Sequence, residues 1–147
     1  MNYMAAFEIS ASGMSVERTR LDVTAVNLAN VNSTRGVDGA AYRPMRVLSG
    51  PKTDQKFSAT MDAFSAVRSA PGVEVSEIRQ LDVPPRLVFE PSHPDADQKG
   101  FVAYPGINPV SEMVNLIATM RAYEANVVAM NAAKTMAMKA LDIGGRS

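Results

Sequence analysis

The C-terminal stretch of this sequence restricts its fold most. Asn108-Pro109 reads as a helix N-cap followed by Pro at the first helical position, where its missing N–H is no loss. Beyond it, Met113, Leu116, Met120, Tyr123, Val127, Met130, Lys134, Ala137 and Leu141 alternate in steps of three and four, and only Lys134 is not apolar. That spacing turns one seam of a helix toward a partner. No Pro or Gly interrupts the stretch before Gly144-Gly145, which reads as a C-terminal stop. A helix of about 34 residues, ~50 Å long, is the expectation.

The N-terminal stretch carries the same pattern. Met4, Phe7, Ala11, Met14, Arg18, Leu21, Ala25 and Leu28 repeat in steps of three and four, broken only by Arg18. This predicts a helix over residues 4–30, although Gly13 and the polar residues leave much of its stability to packing. Asn27, Asn30 and Asn32 near its end suit capping of carbonyls or left-handed turns.

Most of the Gly and Pro residues lie between the two helices, where strand-like alternation replaces the helical period. Val73, Val75 and Ile78, then residues 86–89, then residues 101–104, are short strand candidates bounded by Pro and Gly. Residues 42–48 form another, with Pro44 arguing for an edge or loop. Residues 50–70 carry no pattern and read as a loop-like insertion. The expected fold class is α+β. Long terminal helices pair antiparallel, coiled-coil-like, with a small β-rich region at one end. The expected division is residues 1–35, 36–107 and 108–147.

Both helices have more apolar surface than one seam requires. Ile9, Val16 and Val23 form a second stripe on the first, and Val114, Ala118, Ala125, Val128 and Ala132 form one on the last. Residues 125–133 contain no charge, where a solvated two-helix coiled coil would place Lys and Glu. Zero net charge, from 15 basic and 15 acidic side chains, removes the repulsion that keeps copies apart. It also removes the usual electrostatic pull of nucleic acid or acidic lipid. The extra faces therefore read as surfaces that pack on other subunits. The candidates are Met4, Phe7, Ile9, Met14, Val16, Leu21, Val23, Asn27, Leu28 and Asn30 on the first helix. On the last they are Met113, Val114, Leu116, Met120, Tyr123, Val127, Val128, Met130 and Leu141.

The chemistry available to such a chain is limited. Zero Cys excludes disulfides, thiolate metal sites and a Cys nucleophile, and one His excludes multi-His metal sites. The densest polar cluster, Ser92-His93-Pro94-Asp95-Ala96-Asp97, offers at most an incomplete metal site, and adjacent Ser and His do not supply triad geometry. Pro-flanked Ser, His and Asp are what a rigid turn uses. The reading is no enzyme, no cofactor and no metal. The first residues lack the basic start of a secretory signal, and no run is long and apolar enough to insert in a membrane.

Asn27-Leu28-Ala29-Asn30-Val31-Asn32-Ser33-Thr34 resembles an N-terminal signature of bacterial flagellar axial proteins, the rod and hook proteins and their relatives. The resemblance continues in order through Gly39–Pro44, Gly72–Val75, Phe89–Asp97, Gly100–Val102, Pro105–Asn115 and Arg121–Asn126, ending at Lys134. Gly106 stands where it leads one to expect Asn, a departure in the loop entering the last helix. What the resemblance implies is a short structural subunit of the proximal rod, transmitting torque from motor to hook. Its partners would be other rod proteins and copies of itself. It would be exported through the flagellar type III apparatus without a cleaved signal peptide and reside in the basal body, where the rod crosses the periplasm. Without the resemblance, a small dimeric coiled-coil adaptor fits the same helices.

Overall fold

The computed structural model describes residues 3–36, 39–52 and 72–144. Along the chain lie helix α1 (Tyr3–Ala29), strands β1 (Met45–Pro51), β2 (Val73–Gln80), β3 (Arg86–Phe89) and β4 (Phe101–Tyr104), and helix α2 (Pro109–Gly144). β1 pairs with β2, and β3 pairs with β4. The fold is α+β, and the two helices pack antiparallel: Gly13 stands against Asn126, and Asn27 bonds Glu112.

α2 begins where its cap dictates. Asn108 Oδ1 accepts from the Val110 and Ser111 N–H groups at 3.0 and 3.2 Å, satisfying two of the helix's unpaired donors. α1 ends through Asn30, whose Nδ2 donates to the Val26 carbonyl at 2.8 Å. No non-glycine residue among those described adopts positive φ, so the Asn cluster works by side-chain bonding and not by left-handed turns. Pro44 stands one residue outside β1, where its missing N–H breaks no ladder, and its carbonyl accepts from Leu81 N–H at 2.8 Å. Residues 50 and 51, expected in an insertion, belong to β1. Residues 53–70 of that segment lie outside the described residues.

Two compact units share the chain. Among described residues, one comprises 3–19, 49–52, 72–76 and 120–144, and the other 20–36, 39–48 and 77–119. In the first, Val16 and Ala133 are the buried apolar residues, with Ser10 beside them in burial. A Cβ at Gly13 would come within 2.9 Å of the Asn126 side chain, so this helix-weakening glycine serves close approach of α1 to α2. Val73 N–H donates to Ser12 Oγ, tying the start of β2 to α1.

In the second unit β3 and β4 run antiparallel, with Val88 opposite Val102 and Phe89 opposite Phe101. Val102 is wholly buried, and Val23 joins it as a buried apolar residue. Alternation puts Leu87, Phe89, Phe101 and Ala103 on the other face, where Leu87, Phe89 and Phe101 remain exposed. Phe89 and Phe101 meet edge to face at 5.4 Å, and the Arg86 guanidinium lies over the Tyr104 ring.

Gly106 answers to more than the loop entering α2. A Cβ there would collide with the Pro84 carbonyl oxygen and stand 2.7 Å from Val83 Cγ1, so segment 83–84 closes onto a position open only to glycine. Gly106→Ala is expected to lower stability by about 2 kcal/mol, the scale of overpacking a closed site. A lower urea midpoint at unchanged slope checks it.

Candidate functional site

The most connected side chain in the second unit is Asn27, with only 2% of its surface exposed. Its Oδ1 accepts from Met45 N–H and Tyr42 O–H, both at 2.9 Å. Its Nδ2 donates to the Met45 carbonyl at 2.9 Å and to Glu112 Oε2 at 3.3 Å. The Met45 backbone, one donor and one acceptor, fixes which way the amide faces. Asn27 thus joins the end of α1, the start of β1 and the first turn of α2.

Glu112 is the buried charge of this junction. Its Oε1 lies 3.5 Å from Asn115 Nδ2 and 3.7 Å from the Arg46 guanidinium. Burial, and then the Glu112 carboxylate, hold the Tyr42 hydroxyl pKa above its ordinary value, which keeps Tyr42 a donor to Asn27. Sequence reasoning treated Asn27 as part of a helix end and did not single out Glu112 or Tyr42. Nothing local distinguishes an Asn that caps its own helix from one that reaches another element.

The apolar stripes divide differently from their appearance in sequence. Val16, Val23 and Asn27, expected at an interface with other subunits, are buried within the chain: the seam of α1 runs through Ser10, Val16, Val23, Thr24 and Asn27. Small side chains at these positions let the helices approach closely. Met4 and Ile9 are exposed, while Phe7, Met14, Leu21, Leu28 and Asn30 are half-buried. Arg18 and Lys134, which break the stripes, are exposed.

On α2, Leu116, Tyr123, Val127 and Met130 are half-buried, and Met113 and Met120 are exposed. The second stripe lies open throughout. Val114 is 60% exposed and Val128 68%, with Ala118, Ala125 and Ala132 exposed between and beyond them. In the second unit Val110, Met113, Val114 and Ile117 make an exposed apolar patch at helical spacing. In the first unit the end of α2 exposes Met136, Met138, Leu141 and Ile143. Single exposed apolar residues are ordinary, but contiguous rows along a helix mark contact surfaces.

The His93 region is occupied by its own turn. His93 Nδ1 accepts from Asp95 N–H at 3.1 Å, and Asp97 Oδ1 accepts from the N–H groups of Lys99 and Phe101 at 2.8 Å. Asp95 receives the Thr34 hydroxyl at 2.8 Å and pairs with Arg35 at 3.0 Å, anchoring the turn to the segment after α1. Among the described residues no helix is long and apolar enough to cross a membrane.

Residues 7–36 match a family described as flagella basal body rod protein, and residues 98–143 match one described as flagellar basal body rod FlgEFG protein C-terminal. These spans hold most of α1 with its Asn-rich end, and most of α2. A Bacillus subtilis protein named flagellar basal-body rod protein FlgC is 39% identical over 150 residues, covering 98% of this chain and 99% of its own. Its namesake in Escherichia coli O157:H7 is 36% identical over 144 residues, covering 98% and 99%. That of Borreliella burgdorferi is 34% identical over 149 residues, covering 97% and 98%.

Proposed function

Because this chain belongs to the FlgC family of flagellar basal-body rod proteins, we propose that the exposed rows of α1 and α2 are the contacts through which it assembles. It is a structural subunit of the basal-body rod and associates with other basal-body components. The finer reading is a non-enzymatic subunit of the proximal rod that passes torque from motor to hook. Residues 1–35 and 108–147 form the axial core, and 36–107 lie outside it. Its neighbours are other rod proteins and further copies of itself. It reaches the periplasmic part of the rod through the type III export apparatus, without a cleaved signal.

The observation that carries this reading is the open second stripe of α2, with Val114 and Val128 more than half exposed and no charge across residues 125–133. Covering such residues is favourable by about 1.5–3 kcal/mol for each fully buried Val. Contacts repeated along an assembly multiply that gain.

Hydrogen exchange tests it. Amides of residues 4–30 and 110–141 are expected to exchange at least ~100-fold more slowly in assembled rods than in the dilute free chain, because helix stability here comes from packing. Equal protection of both segments in the free chain and in assembled rods would overturn the reading. A stoichiometric dimer in sedimentation that never extends would favour the adaptor instead.

A further inference from the structure

In the first unit α1 and α2 face each other along their buried seams, and each carries an exposed row on its far side. On α1 the row is Met4, Glu8, Ala11 and Ser15, which steps of three and four place on one face. On α2 it is Val128, Ala132, Met136, Lys139 and Ile143. Each row holds one charge, and the two are opposite: Glu8 on α1, Lys139 on α2. Neither has an ion-pair partner among the described residues. Arg121, farther along the same face of α2, is already paired with Glu124 at 2.9 Å.

The helices also differ in reach. Gly13, which stands against Asn126, lies ten residues after Tyr3, whereas Gly144 lies eighteen residues after Asn126. The end of α2 therefore runs about two turns past the start of α1, with Met138, Leu141 and Ile143 exposed. We propose that the open row of α2 receives the open row of α1 from a second copy of this chain, antiparallel, with Glu8 against Lys139. That register sets Met4 on Ile143, Ala11 on Met136 and Ser15 on Ala132. It also brings the incoming Tyr3 level with Gly144, so the second α1 reaches the end of α2 that the chain's own α1 leaves bare. A slip of one turn puts Glu8 against Thr135 or Ile143 and loses the charge pair. The donating and receiving rows are different surfaces, so each contact leaves one of each kind open and the contact repeats without closing on itself. This inference rests on the assembly reading and names the partner of that surface.

Two full-length chains, one with Ala11→Cys and one with Met136→Cys, test this when mixed and treated with a short bismaleimide. Each chain has a single thiol, so every cross-linked pair joins two copies. The 11–136 adduct is expected to dominate over 11–11 and 136–136, both in the concentrated purified mixture and in basal bodies containing both chains. Adding Glu8→Lys to the first chain, or Lys139→Glu to the second, should lower its yield about fivefold, the scale of an exposed ion pair. Both changes together should restore it. No 11–136 adduct in either preparation, a predominance of 11–11 or 136–136, position 136 joined only to a different protein, or indifference to the charge changes overturns the proposal. Chains present in basal bodies without the adduct refute this inference alone. The adduct formed by concentrated chains that never enter basal bodies refutes the assembly reading alone.

Discussion

Replacing Asn27 with Leu is expected to cost about 3–4 kcal/mol of stability, because it strands several buried polar partners at once. The Met45 N–H and C=O, the Tyr42 hydroxyl and one oxygen of Glu112 each lose a bond made at 2.9–3.3 Å. Leu has about the right volume and none of the hydrogen bonds, so the loss is polar and not a cavity effect. Asn27→Asp is an informative companion. It keeps an acceptor for Met45 N–H and Tyr42, but replaces the donor with a second carboxylate facing Glu112. Like charges in a buried site repel, so Asp is expected to be no better than Leu at neutral pH. Urea unfolding followed by far-UV circular dichroism checks both, through a lowered midpoint at unchanged slope. If Asn27 served only to cap its own helix, Asp, a good substitute at caps, would be nearly silent.

The second large effect separates assembly from folding. Val114→Asp combined with Val128→Asp changes two residues that lie mostly in solvent, so the free chain should lose no more than about 0.5 kcal/mol per site. In an assembled rod the same changes would bury two carboxylates in apolar contacts. A cost of about 2–3 kcal/mol each weakens every such contact by roughly 10³-fold or more. Cells carrying only this variant are expected to be non-motile while the purified protein unfolds at the unaltered urea concentration. Motility at the level of the parent chain would remove the second stripe from the assembly surface.

Both helices were legible because their signals are local and agree with one another. Stripes in steps of three and four set their existence, and Asn108-Pro109 set the start of α2. The short strands were legible because Pro and Gly bracket runs of β-formers; β2, β3 and β4 lie where alternation put them, while β1 starts three residues later than the expected 42–48 and runs on to Pro51. Which stripe of α1 faces α2 was not legible. Both stripes are apolar, and the choice between them depends on how closely the backbones approach. Small Val16 and Val23 at the seam, with Gly13 against Asn126, resolve it. Asn27 and Glu112, 85 residues apart, join only in three dimensions, as do Gly106 and Pro84. The exposed row of Leu87, Phe89 and Phe101 required the pairing register of β3 and β4, which their short sequences do not state.

The absence of Cys from the sequence allows each introduced thiol to be read alone. Val114→Cys, Val128→Cys and, as an exposed turn position, Lys99→Cys can be alkylated in the free chain and in purified basal bodies. If the open stripe of α2 is the assembly surface, the thiols at 114 and 128 should react at least ~100-fold more slowly in basal bodies, since burial blocks the reagent. Equal reactivity of positions 114 and 128 in the two states would contradict the account.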